Sequence, residues 1–223
     1  SWEVGEDMGK HGIAVVIVLT ILLIVACSAP SVSGTIYVKW DSPNNGPGND
    51  WAHAFHTVTA ALIAAQYNDE IWVAGDSAHP YSERITVKLG VRVYGGFAGT
   101  ETTRDQRDWN TNVTILDGNR VGDVVYFSGG SATTVLDGFT VRNGGGYPSA
   151  GIHCNGTPSI TNNTISGNSC YGIYCSGDSS PSITNNTISG NTRNGIECRY
   201  RSSPSVMNNT ISANERGIFC EDS

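Results

Sequence analysis

The chain has 223 residues, 39% of them apolar, with 27 glycines and a formal net charge of −7. Lysine stands only at 10, 39 and 88, so no basic stripe exists to neutralise a run of phosphates and release their counterions, which excludes nucleic acid as an expected partner. So many glycines and so few long side chains argue against a helical core and for a β protein with many tight turns.

Residues 1–33 stand apart as a leader or membrane anchor. "IAVVIVLTILLIVA" at 13–26 is a 14-residue apolar run behind Lys10 and His11, shorter than the ~20 residues a helix needs to cross a bilayer, and it reads as the apolar region of a signal peptide. With Met8 as the start, "MGKHG" is a short basic leader. Ile24, Val25, Ala26 and Cys27 resemble the lipobox at which bacterial lipoproteins are cleaved and lipidated, which implies lipid on Cys27 and attachment to a membrane. An uncleaved signal anchor is the alternative. Either way the expectation is export to the cell surface, the outer membrane or the extracellular space.

The second region, 34–149, begins with a strand at "GTIYV" and then an amphipathic helix over 51–66. Phe55, Val58, Ala61, Leu62 and Ala65 recur there at helical spacing, giving an apolar face able to plug the open end of a stack of strands. "DEIWVA", "RITV", "VRVYGGF", "VTILDG", "DVVYF" and "TVLDGFTV" follow as short strands, and the charged stretch within 95–118 is expected to leave the stack and run over the surface.

From 150 to 223 the chain repeats itself. "PSITNNTISGN" at 158–168 returns at 181–191 and, as "PSVMNNTISAN", at 204–214. "GIHC", "GIYC", "GIEC" and "GIFC" start at 151, 172, 195 and 217, in steps of 21, 23 and 22. Each period holds three short strands separated by Asn and Gly turns. A period of this length is a solenoid signature, because one repeat cannot bury its own apolar face. Leucine-rich spacing is missing, so the expected fold is an all-β, right-handed parallel β-helix: three short strands per coil of about 20–23 residues, capped by the N-terminal α-helix.

Side-chain alternation points Ile152, Ile173, Ile196 and Ile218 inward with Cys154, Cys175, Cys198 and Cys220, and turns His153, Tyr174, Glu197 and Phe219 outward. Their cysteine spacings are not those of zinc sites. In-register Cβ atoms ~4.8 Å apart exceed the ~3.8 Å of a disulfide, so buried free thiols are expected; Cys170 is left open. The "NNT" triplets at 162, 185 and 208 match the glycosylation sequon, but stacked corner asparagines that bond to one another account for them better.

The "NNTISGN…GI" repeats resemble the right-handed parallel β-helix proteins of the pectate-lyase-like superfamily, over residues 34–223. The 95–118 stretch is similar to bacterial surface proteins of that class. The resemblance implies either clustered aspartates for hydrolysis, or Ca²⁺ held by acidic residues beside a basic side chain for lyase chemistry on polyuronides. No cofactor other than that Ca²⁺ is implied. "ILDG" and "VLDG" offer Asp117 and Asp137 as the catalytic candidates, expected side by side on adjacent coils if they act as a pair; a plain Asp-Gly corner is the competing account. For ligand binding the candidates are His153, Tyr174, Glu197 and Arg199, an outward column suited to an extended cell-surface polysaccharide. Two functions follow: a surface-tethered glycan binder or scaffold without chemistry, and a polysaccharide lyase or glycoside hydrolase. The chain ends inside a repeat at "GIFCEDS", and further coils are expected beyond it.

Overall fold

The computed structural model describes residues 33–221, and the leader with Cys27 lies outside the described residues. Three parallel sheets wrap one core. In spatial order the first sheet holds Thr35–Val38, Glu70–Ala74, Arg92–Phe97, Val135–Asp137, Ser159–Thr161, Ser182–Thr184 and Ser205–Met207. The second holds Thr114–Asp117, Phe139–Arg142, Thr164–Ser166, Thr187–Ser189 and Thr210–Ser212. The third holds Ile85–Val87, Val125–Ser128, Ala150–Asn155, Tyr171–Cys175, Asn194–Cys198 and Arg216–Cys220. From Arg92 on, successive coils add one strand to each sheet, which is the expected β-helix.

The repeats stack in register. Ile152, Ile173, Ile196 and Ile218 form one ladder, and Cys154, Cys175, Cys198 and Cys220 another. Ile160 lies on Ile183 and Val206, and Ile165 on Ile188 and Ile211. Ile152, Ile160, Ile165, Ile173, Ile183, Ile188 and Ile196 are fully buried, each worth roughly 1.5–3 kcal/mol relative to exposure. The glycine of "GIxC" is needed for this closeness: a Cβ on Gly172 would lie 2.6 Å from the Gly195 carbonyl oxygen and 2.7 Å from Ile188 Cγ2. As expected Cys154, Cys175 and Cys198 are buried free thiols, but Cys220, on the last described strand, is exposed; Cys170 is also free, buried beside Ala150 and Tyr171. A hydrogen bond with Cys154, reinforced by burial, holds the Cys175 thiol well above its ordinary pKa.

The paired asparagines divide the work of the corner. Asn162, Asn185 and Asn208 take left-handed backbone conformations (φ 54°, 58° and 55°), which Asn tolerates better than most residues. The second asparagine of each pair turns inward. Asn163 Nδ2 donates to Asn186 Oδ1 (3.1 Å) and Asn186 Nδ2 to Asn209 Oδ1 (3.0 Å), while the same amides donate to the carbonyls of Leu136 and Ile160. Asn168, Asn191 and Asn214 form a second ladder at the "GN" corner.

One detail differs from expectation. The helix is shorter than 51–66: it spans Val58–Ala64, with Val58, Ala61 and Leu62 in the core and a separate 3-10 turn at Trp51–His53. Thr57 sets its start by accepting a hydrogen bond from the Ala60 N–H, and Glu83 accepts from the N–H groups of Val58 and Thr59 at 2.8 Å each. Phe55 pairs instead as extended backbone with Val38. "TVLDGFTV" turns at the Asp-Gly corner that the sequence offers: Gly138 (φ 82°) carries the chain from the first sheet to the second.

Candidate functional site

The outer face of the third sheet carries a continuous in-register column: Thr86, Tyr126, His153, Tyr174, Glu197 and Phe219. The alternation that buries Ile152 and Cys154 forces His153 outward, and each later coil repeats the placement. The rings of Tyr126 and His153 lie 5.1 Å apart, those of His153 and Tyr174 4.8 Å apart. Tyr171 stacks on Tyr174 at 5.5 Å. Burial raises both phenols above their ordinary pKa, so each remains a neutral hydrogen-bonding group.

A cavity of about 540 Å³ opens at the upstream end of this column, lined by Arg84, Thr86, Asp123, Tyr126 and His153. Asp123 sits just before the strand Val125–Ser128 and faces two ways. Its Oδ1 accepts the Ala150 N–H at 2.7 Å, and its Oδ2 lies 3.0 Å from His153 Nδ1. The opposite ring nitrogen, His153 Nε2, lies 3.0 Å from Ser176 Oγ. Beside the aromatic column runs a second outward one: Ser128 pairs with Asn155, and Ser176, Arg199 and Glu221 follow, each donating its N–H to a cysteine carbonyl of the preceding coil, Cys154, Cys175 and Cys198 respectively.

Of the four expected binding residues, His153 and Tyr174 meet on this face as the sequence implies. Glu197 does not line an open surface. It occupies the outward column between Tyr174 and Phe219 but has no exposed area, held by Arg199 Nε at 2.6 Å and by the Asn194 amide. Arg199 also pairs with Glu221 at 2.7 Å. An unpaired carboxylate could not stay buried there, so Glu197 and Arg199 form a closed ion pair that continues the wall.

Asp117 and Asp137 are not side by side. Asp117 lies in the second sheet opposite Arg142, and Asp137 in the first sheet between Tyr94 and Thr161. The expected equivalence fails because Asp137 ends a strand at the Gly138 corner, whereas Asp117 ends a strand beyond that corner. Both carboxylates are occupied. Asp117 accepts from Arg142 Nε (2.9 Å), Asn143 Nδ2 (2.8 Å) and the Asn119 N–H. Burial alone would raise its pKa, but these donors outweigh it and hold the carboxyl below the usual value. Asp137 accepts from Arg107 Nη2 at 2.7 Å and from Asn162 at 3.0 Å.

That second ion pair explains the surface excursion. Arg107 lies across Tyr94 and Trp109, at 5.0 and 4.9 Å from the ring centres, and Arg104 reaches Glu70 at 2.7 Å. Together with Asp137 they line a cavity of about 440 Å³ on the outer face of the first sheet. Its cationic groups are already engaged, and they pin the loop to the coils. Among the described residues no group of three or more His, Cys, Asp or Glu side chains is placed to hold a metal ion.

Sequence reasoning missed Tyr126, Asp123 and Arg84. Tyr126 was within reach, since alternation in "DVVYF" turns it outward and one more coil back extends the column. Asp123 carries no repeat copy to reveal its place.

No curated protein and no solved structure matches the chain. The family model described as a right handed beta helix region matches residues 90–223, more than half of the sequence and every regular coil. The match agrees with the parallel three-sheet winding and the stacked repeats, and the chain belongs to the right-handed β-helix family.

Proposed function

We propose that the protein is an exported binder of extended polysaccharide, and that the glycan lies along the outer face of the third sheet. The observation that carries this reading is the Tyr126–His153–Tyr174 column with its adjoining cavity. Rings held in register by a rigid sheet offer apolar faces to sugar rings, while Arg84, Asp123 and Ser176 offer polar partners beside them. The column is built from three coils, so a ligand filling it is several sugar units long. Export with lipid on Cys27 belongs to the same proposal and rests on the leader sequence; release of Cys27→Ser from membranes supports it, and continued retention favours an uncleaved anchor.

The lyase or glycoside hydrolase of the pectate-lyase-like superfamily is the weaker reading, since Asp117 and Asp137 are separated and both paired. Titration of oligosaccharides from neutral glucans to polyuronides against the intact protein tests the binding. Loss of one aromatic platform, in Tyr126→Ala or Tyr174→Ala, is expected to weaken affinity by about five- to tenfold, the equivalent of roughly 1 kcal/mol. Unsaturated products absorbing in the ultraviolet would point to a lyase instead.

A further inference from the structure

The polar partners beside that column are themselves arranged for chemistry. Asp123, His153 and Ser176 come from three successive coils of the third-sheet side, 30 and 23 residues apart, and lie in a line: Asp123 Oδ2 to His153 Nδ1 at 3.0 Å, His153 Nε2 to Ser176 Oγ at 3.0 Å. A carboxylate only accepts, so it fixes the imidazole with its proton on Nδ1 and leaves Nε2 to accept the Ser176 hydroxyl proton. Asp123 is itself fixed, because its other oxygen holds the Ala150 N–H. His153 is clamped between the Tyr126 and Tyr174 rings. This is the order of nucleophile, base and orienting acid that recurs on unrelated folds.

We infer that Ser176 is a nucleophile toward carboxylic esters, with His153 as its general base and Asp123 as the residue that positions His153. In the first half-reaction Ser176 Oγ bonds to the ester carbonyl carbon while its proton passes to His153 Nε2, and the carbonyl electron pair moves onto oxygen. When the carbonyl re-forms, the bond to the alcohol breaks and the alcohol leaves with the proton from His153. Water then gives a proton to His153 and attacks the acyl-Ser176; collapse releases the carboxylic acid and returns the proton to Ser176. The sum is ester and water to acid and alcohol. Ser176 stands partly exposed at the end of its strand, next to the left-handed Gly177 (φ 63°), where an acyl group has access.

The alcohol half of the substrate rests on the glycan-binding reading: a sugar hydroxyl lying over Tyr126 and Tyr174 would make the natural ester an O-acylated polysaccharide. The nucleophile itself does not rest on it. Two measurements on the full chain therefore separate the two proposals: covalent labelling by a fluorophosphonate probe located by peptide mass spectrometry, and hydrolysis of p-nitrophenyl acetate, neither of which needs a glycan. The expected result is a label on Ser176, absent from Ser176→Ala and from His153→Gln, with kcat for the acetate ester reduced about 10²-fold or more in both variants. Asp123→Asn keeps the acceptor for the Ala150 N–H while removing the charge, and is expected to lower kcat with KM unchanged. Circular dichroism showing the wild-type β spectrum confirms that each variant is folded. Absence of any label on the folded wild-type protein, or a label and hydrolysis that persist in Ser176→Ala, would overturn the proposal. Labelling without measurable affinity for any glycan would keep the nucleophile and remove only the sugar alcohol.

Discussion

At the scale of single residues, side chains that look equivalent in sequence have different fates. His153, Tyr174 and Glu197 share one ladder, yet the imidazole remains accessible while the carboxylate is sealed under Arg199 and Asn194. The difference follows from the residues two positions on, Asn155, Ser176 and Arg199: only the arginine brings a charge that a neighbouring carboxylate will bury itself to meet. Asp117 makes the same point for pH. Its carboxyl is held below the usual value by Asn119, Asn143 and Arg142 despite burial. A depressed folded-state pKa contributes stability that is present above the unfolded value of ~3.9 and is lost as pH falls through the folded one. Thermal melts from pH 5 down to pH 2 should show the melting temperature falling with acid, and Asp117→Asn should flatten part of that fall. An unchanged slope in the variant would mean that these bonds carry no proton linkage.

At the scale of elements, the corners specify the winding as much as the strands do. Asn186 accepts from the N–H (2.9 Å) and the side-chain amide (3.1 Å) of Asn163 and donates to the Ile160 carbonyl (2.9 Å) and to Asn209 (3.0 Å), all in a site 1% exposed. Removing it strands buried groups on two coils, at about 1–3 kcal/mol each. Asn186→Ala is therefore expected to destabilise by about 3 kcal/mol in urea unfolding, against less than about 0.5 kcal/mol for Asn185→Gly at the neighbouring left-handed position. Much of this was legible in the sequence. Isoleucine, cysteine and asparagine each recur in phase because each packs on its own copy. Elements without copies were harder. The helix runs over 58–64 rather than 51–66 because Thr57 and Glu83 cap it, and Glu83 lies too far along the chain for a local pattern to register. The Arg107–Asp137 pair that holds the surface loop is likewise a contact across 30 residues.

At the scale of the molecule, a β-helix supplies a rigid outer face and leaves its chemistry to whichever residues occupy the outward columns. The aromatic part of the third-sheet face was visible as the variable position of "GIxC". Of its polar part, His153 was visible at that same position, but Asp123 was not, because it lies outside the repeats and meets His153 from another coil. Cavities open on the third sheet near His153 and on the first sheet under Arg107. On the first, the cations are committed to Asp137 and Glu70; on the third, the rings and the Ser176 hydroxyl stand toward solvent. The most direct measurement is the affinity of Tyr174→Ala for the best-bound oligosaccharide, set beside that of Arg104→Ala on the first-sheet cavity. The account predicts a five- to tenfold loss for Tyr174→Ala, about 1 kcal/mol, and wild-type affinity for Arg104→Ala; unchanged binding in Tyr174→Ala with a loss in Arg104→Ala would contradict it.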